Sequence, residues 1–264
     1  MRPNILSFLS VSAFLLAVFS SFISFASSAK LQALPLPSYV GKGCSPNDPK
    51  LNECVVRTGA PAIKKIAQGD PKYRIPKLDP LTIPQIKIRQ GTRQVGLSLE
   101  LNNLQMYGLK DVDFRKARLD LNKNHCEWDF FLKTMTMIGK YNVSGQVLVL
   151  PITGEGDANV TVTGVTFTFI YNYTLEKRAN GLEYVKVTDY KMPFQVTDMK
   201  IKLDNLFNGD RLLGGNMNQF LNENWQEIMK ELGPAMGDAL GEIFKQTLTS
   251  MADLVPFKNI FPKD

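Results

Sequence analysis

The sequence predicts an α+β fold: a highly curved antiparallel sheet wrapped around a long C-terminal helix, with a short helix ahead of the sheet. Three observations carry this. From about residue 84 to 204, apolar side chains recur with period two in six or more long segments. Short turns rich in Gly, Asn and Asp separate those segments, so an antiparallel meander is the economical topology. Over residues 216–252 the apolar period changes to three and four, the signature of an amphipathic helix.

In chain order, residues 5–26 (ILSFLSVSAFLLAVFSSFISFA) carry no charge, follow Arg2 and precede the small residues Ser27, Ser28 and Ala29. This pattern is that of a secretory signal peptide spanning residues 1–29, leaving residues 30–264 as one domain. An uncleaved anchor is the alternative for so long a run; Ser27 and Ala29 favour cleavage. No later stretch is long and uncharged enough to cross a membrane, so the mature chain is expected to be soluble. The expected product is a secreted, extracellular monomer.

A first helix is predicted over residues 49–68, with Asp48 as N-cap, Pro49 at its first position, Gly69 beyond its end and a bend near Gly59 and Pro61. Pro71, Pro76, Pro80 and Pro84 then keep the chain extended. In the strand region the apolar set moves from even positions (Val160, Val162) to odd ones (Val165, Phe167) across Gly164, which predicts a bulge or bend there. The C-terminal helix would be about 55 Å long if straight, so either the domain is elongated or the helix breaks at Gly233-Pro234. Gly233, Gly237 and Gly241 make a bare stripe at spacing four, read as close contact between helix and sheet.

Composition removes several chemistries. With 44% hydrophobic and 21% charged residues the chain is neither disordered nor fibrous, and its one histidine, His125, excludes any site needing two imidazoles. His125 and Cys126 are adjacent on a predicted strand, so they face opposite ways and cannot pair as base and nucleophile. The segment 154–159 (GEGDAN) partly mimics a dinucleotide loop, but its third Gly is missing and a strand follows; a hairpin turn is the preferred reading. No enzyme, metal or cofactor is expected. The net charge of +6 is spread out with no aromatic stripe, which argues against nucleic acid and leaves room for transient contact with an anionic membrane.

Three cysteines allow three pairings. Cys44 and Cys54 flank a turn-rich segment, which favours their bridge, and Cys126, beside Trp128 and Phe130, reads as a buried thiol; the other two pairings stay open on these grounds. Sequons at Asn142, Asn159 and Asn172 each place the Asn on the polar side of an alternating strand. A glycan needs water, so these strands have one wet face and one apolar face.

A helix about 10 Å wide cannot match a long curled sheet everywhere along its apolar face. Where side chains fail to fill the gap, an apolar tunnel results, and such a tunnel takes a small lipid-like ligand. The expected wall from strands is Leu97, Leu99 and Leu101, then Trp128 and Phe130, then Phe167, Phe169 and Tyr171. The helix is expected to add Phe220, Trp225, Met229 and Met236, its methionines suiting varied guests.

Several stretches resemble the takeout and juvenile-hormone-binding-protein family of insects: Cys44 to Cys54 followed by a helix; IPKLDPL from Ile75 leading into Ile86-Lys87-Ile88; LPITGEG from Leu150; and NLFNG from Asn205 through FLNENW from Phe220. Further matches are Leu101-Asn102-Asn103-Leu104 through Gly108-Leu109, and Gly139-Lys140-Tyr141 through Gly145. They follow family order over nearly the whole predicted domain. The resemblance implies a tubular lipid-binding fold, an N-terminal disulfide and an internal tunnel for a fatty acid, terpenoid or isoprenoid, as in haemolymph carriers of juvenile hormone. Those carriers typically have a second disulfide; only Cys126 is left for one here, which favours the takeout branch. The rival readings are a secreted glycoprotein that presents a protein-binding or signalling surface and holds lipid only structurally, and a small esterase.

Overall fold

The two longest strands organise everything else. Residues 33–91 and 96–263 are described by the computed structural model; the expected signal segment lies outside them. Strands β4 (His125–Val147) and β5 (Leu150–Lys177) pair antiparallel in one unbroken register, from His125 opposite Asn172 to Val147 opposite Leu150. Other strands divide their two outer edges. Along β4, β2 (Gly96–Tyr107) takes the later half and β3 (Asp113–Asp120) the earlier half, with β1 (Leu81–Gly91) outside β2. Along β5 lie β8 (Asp198–Leu203), β7 (Phe194–Gln195) and β6 (Glu183–Lys191). All connections are antiparallel, and the eight strands form one curled sheet, as the period-two pattern predicts.

The expected irregularity at Gly164 is a bend, not a bulge. On β5 the buried residues are even-numbered before it (Ile152, Ala158, Val162) and odd-numbered after it (Val165, Phe169, Tyr171). On β4 the opposite stretch makes the matching change, from Cys126, Phe130 and Leu132 to Met135, Tyr141 and Val143. Both strands therefore turn over together while the register persists, which keeps one continuous apolar face on the concave side. Gly164 has φ +63° and a Cβ there would run into the Thr197 side chain. Thr197 closes the outside of the bend by donating from both N and Oγ1 to the Thr163 carbonyl, each at 2.9 Å.

The GEGDAN segment is interior to β5, which corrects its reading as a hairpin turn; the true turn lies at Leu148 and Val149, with Leu148 at φ +53°. Its glycines serve another purpose. A Cβ on Gly154 would approach Leu206 Cα to 2.9 Å, and one on Gly156 would collide with the Asp204 carbonyl, so bare backbone here lets the chain after β8 cross close to the sheet.

Helix α1 (Leu51–Ala67) starts two residues later than expected, after Asp48 Oδ1 accepts from Lys50 N at 2.8 Å. Gly59 brings it onto β3: a Cβ there would sit 3.0 Å from the Phe114 ring. The predicted C-terminal helix is two helices, α2 (Arg211–Glu223) and α3 (Trp225–Ala252), and the break falls at Asn224 (φ −112°, ψ 26°), not at Gly233-Pro234. Each helix answers to a different partner. In α2, Asn218 and Asn222 each donate to and accept from one residue of β8, Leu203 and Ile201, at 2.7–2.9 Å, so two side-chain amides pair the sheet edge. α3 instead lies along the concave face. It runs through Pro234 because that residue is on the exposed side, where water can serve the carbonyl left unpaired. The glycine stripe brings it close to the sheet: a Cβ on Gly237 would lie 2.9 Å from the Phe194 ring and one on Gly241 2.8 Å from the Tyr190 ring. The short α4 (Phe257–Ile260) and the segment from Leu34 close one end through Leu34 N to the Leu254 carbonyl at 2.7 Å and Asn259 Nδ2 to the Leu34 carbonyl at 3.1 Å.

Candidate ligand-binding cavity

The concave face, α3 and α1 enclose a cavity of about 490 Å³, inside the range of roughly 300–1,000 Å³ usual for small-molecule sites. Its wall follows β4 from Cys126 to Val147, a contour of about 70 Å at ~3.3 Å per residue. The cavity is therefore long, and its lining is almost wholly apolar side chains.

The wall has two halves that meet near the bend. One is built from aliphatic and thioether groups such as Leu97, Leu104, Met135, Val143, Ile152 and Met199. The other is mainly aromatic: Phe114, Trp128, Phe130, Tyr171 and Tyr173 from the sheet, with Phe244 from α3. These rings touch in sequence, Phe114 to Phe130 at 4.8 Å, Phe130 to Phe244 at 5.4 Å and Trp128 to Tyr171 at 5.2 Å between centroids. α3 serves both halves because Met229, Met236, Leu240, Phe244, Leu248 and Met251 recur at helical spacing along one stripe.

Of the residues expected on the wall, Leu97, Leu99, Leu101, Trp128, Phe130, Phe167, Tyr171, Met229 and Met236 line the cavity. Phe169, Phe220 and Trp225 do not. Phe169 points inward as its alternation demands, but Phe244 (4.5 Å) and Tyr190 (5.9 Å) cover its ring, leaving it fully buried in packed core. Phe220 and Trp225 flank the break at Asn224, where the helical phase is reset; both pack on the aliphatic core, and Leu221 and Ile228 reach the wall in their place. Sequence reasoning missed α1 as a wall element. Val55, Ala62, Ile63 and Ile66 all line the cavity, and their three-and-four spacing was a usable signal.

Cys44 and Cys54 are bridged, and Cys126 is a free, buried thiol. Burial pushes the Cys126 thiol up to about 11, against a smaller opposing effect of its bond with Tyr171, whose own hydroxyl is raised by burial. His125 faces the other way. Its Nδ1 donates to Asn172 Oδ1 at 2.7 Å and its Nε2 lies 3.2 Å from Glu127 Oε1, so the doubly protonated ring satisfies two acceptors. These bonds, Asn172 first, raise the His125 pKa. Arg118 donates to Glu127 at 2.6 Å and to Asp129 at 2.8 Å, and holds both carboxyls below the usual range. The base-like group thus sits in a polar network on the convex face while the thiol sits in the cavity. Among the described residues no cluster of three His, Cys, Asp or Glu side chains could hold a metal ion, and no helix is long and apolar enough to cross a membrane. Asn142 and Asn159 are exposed on the convex face, whereas Asn172 is half-buried and bonded to both His125 and Asp189.

Similarity to known proteins follows the same geometry. The "Circadian clock-controlled protein daywake" of Drosophila melanogaster is 22% identical over 218 residues, covering 80% of this chain and 84% of that protein. Its namesake from Drosophila yakuba is 24% identical over 221 residues, covering 80% and 85%. The crystal structure of Takeout 1 from Epiphyas postvittana matches with a TM-score of 0.75 at 26% identity, covering 84% of this chain and 99% of that one. The family model described as haemolymph juvenile hormone binding protein (JHBP) matches residues 15–262, nearly the whole sequence. With a curled antiparallel sheet, an N-terminal helix and C-terminal helices in common with Takeout 1, the chain belongs to the takeout/JHBP family.

Proposed function

We propose that this protein is a secreted carrier that holds one long apolar molecule, a fatty acyl, terpenoid or isoprenoid chain, in its internal cavity. Membership of the family makes it a carrier of hydrophobic ligands. The observation that supports a long guest is the apolar lining contributed by residues spread along β4 from Cys126 to Val147. Burial drives the uptake: each CH₂ removed from water contributes about 0.8 kcal/mol, so a dozen carbons offset the cost of immobilisation by several kcal/mol. Secretion is supported by the leader-like residues 1–29, by the Cys44–Cys54 bridge, which suits an oxidising compartment, and by exposed sequons at Asn142 and Asn159. The family name points to juvenile-hormone-like guests; the single disulfide, with Cys126 buried alone, favours other members of the same chemical class.

The test uses two tryptophans that differ in position. Trp128 lines the cavity and Trp225 does not. Organic extraction of natively purified protein is expected to release about one equivalent of lipid, and refilling the stripped protein with a long-chain probe should change its fluorescence. The change should vanish in Trp128→Phe and persist in Trp225→Phe. Stripped protein that takes up no apolar probe would overturn the reading.

A further inference from the structure

Nearly every polar group on the cavity wall is already spent. Thr58 Oγ1 donates to the Cys54 carbonyl at 3.0 Å and Thr247 Oγ1 to the Ile243 carbonyl at 2.9 Å, each within its own helix. Tyr171 and Cys126 bond to one another. Two donors remain. Trp128 Nε1 and Tyr173 Oη are buried and have no hydrogen-bond partner, and both residues belong to the aromatic half of the wall. They flank the same ring: Trp128 packs edge-on to Tyr171 at 5.2 Å, and Tyr173 lies 6.3 Å beyond it. In this arrangement both atoms are shielded from solvent. A buried donor without an acceptor is costly, about 1–3 kcal/mol, and a guest that parts the rings and supplies an oxygen removes that cost.

We propose that Trp128 Nε1–H and Tyr173 Oη–H form a polar subsite at the aromatic end of the cavity, selecting a guest that terminates in an uncharged oxygen acceptor such as an ester or ketone carbonyl. The apolar chain of that guest then runs past the bend into the aliphatic half. The acceptor is uncharged because the subsite holds no countercharge. Lys42, the one Lys, Arg, Asp or Glu among the described wall residues, is exposed, so its ammonium stays in water. Burial also keeps the Tyr173 phenol protonated, since its pKa is raised, and a neutral phenol remains a donor at any physiological pH. A carboxylate placed here would lose its hydration for two hydrogen bonds and no cation, an unfavourable exchange.

The inference rests on the carrier reading, so the test separates the two. Stripped wild-type, Tyr173→Phe and Trp128→Phe proteins are titrated with methyl dodecanoate and with tetradecane, which match in length, by displacement of a fluorescent apolar probe. The readout is the change on substitution, which cancels each molecule's own aversion to water. Tyr173→Phe should weaken the ester about five- to tenfold and leave the alkane within about twofold. Trp128→Phe should do the same to a smaller extent, because the smaller ring also removes contact area. The melting temperature of Tyr173→Phe should not fall, because the lost hydroxyl had no partner. Equal effects on ester and alkane, or wild-type protein that holds dodecanoate anion as tightly as its methyl ester, would overturn the subsite while leaving the carrier reading intact. Failure of both ester and alkane to bind would overturn both.

Discussion

The two halves of the cavity share one sheet, one helix and one register, yet differ in stiffness and chemistry. On one side of the Gly164 bend the wall is Leu, Val, Ile and Met, side chains that shift to fit a guest. On the other it is interlocked rings that hold fixed positions and carry the buried, unpaired polar hydrogens described on the wall, those of Trp128 and Tyr173. A pocket so divided orients its guest, with the functional group among the rings and the chain among the flexible side chains. The bend makes this possible by turning both strands over together, so that each half presents its apolar residues to the same space.

The largest expected effect comes from breaking the junction itself. Gly164→Ala combines a positive φ with a collision against Thr197 and should cost about 3 kcal/mol, a fall of about ten degrees in melting temperature by calorimetry. Narrowing one half should follow. Met137→Trp fills part of the aliphatic wall, so the longest probes should bind about tenfold more weakly while short ones are held as before. A smaller effect reads the aromatic half through its thiol. Because burial raises the Cys126 pKa to about 11, alkylation by iodoacetamide should be slow at pH 8 and still be accelerating above pH 9, and a bound guest should slow it further. The smallest belongs to the convex face, where no coupling to the cavity is expected. The folded-state pKa of His125 lies above its unfolded value, so its contribution is complete below about pH 6.5 and lost as pH rises through the folded value. The group is one-third exposed, so the melting temperature should fall by only about one degree between pH 6 and 8. His125→Gln should abolish that dependence and leave ligand affinity unchanged.

Much of this was legible before any coordinates. Alternation in β4 and β5 named the inward faces, the parity change named Gly164, and the stripe Gly233, Gly237, Gly241 marked where α3 meets the sheet. What failed did so for one physical reason: periodicity tells which way a side chain points, not what lies above it. Phe169 points inward under Phe244, and is core. Phe220 and Trp225 keep their spacing on paper, but Asn218 and Asn222 pair with β8 and tie α2 to the sheet edge, and the helix breaks just beyond them at Asn224. Pro234, the stronger breaker by composition, is tolerated because it faces water. The glycines at 154 and 156 looked like a turn because sequence does not show a second segment crossing a strand.

Photolabelling decides whether one guest lies along the cavity with its oxygen among the rings. A long-chain methyl ester carrying a diazirine at its tail is bound to the stripped protein, irradiated, and the labelled peptides are sequenced. Saturable labelling is expected on the aliphatic wall, around Met137, Val143, Val160 and Met199, and, when the diazirine is moved beside the ester, around Trp128 and Tyr171. Labels scattered over the convex face, around Asn142, Asn159 and Lys140, would contradict it.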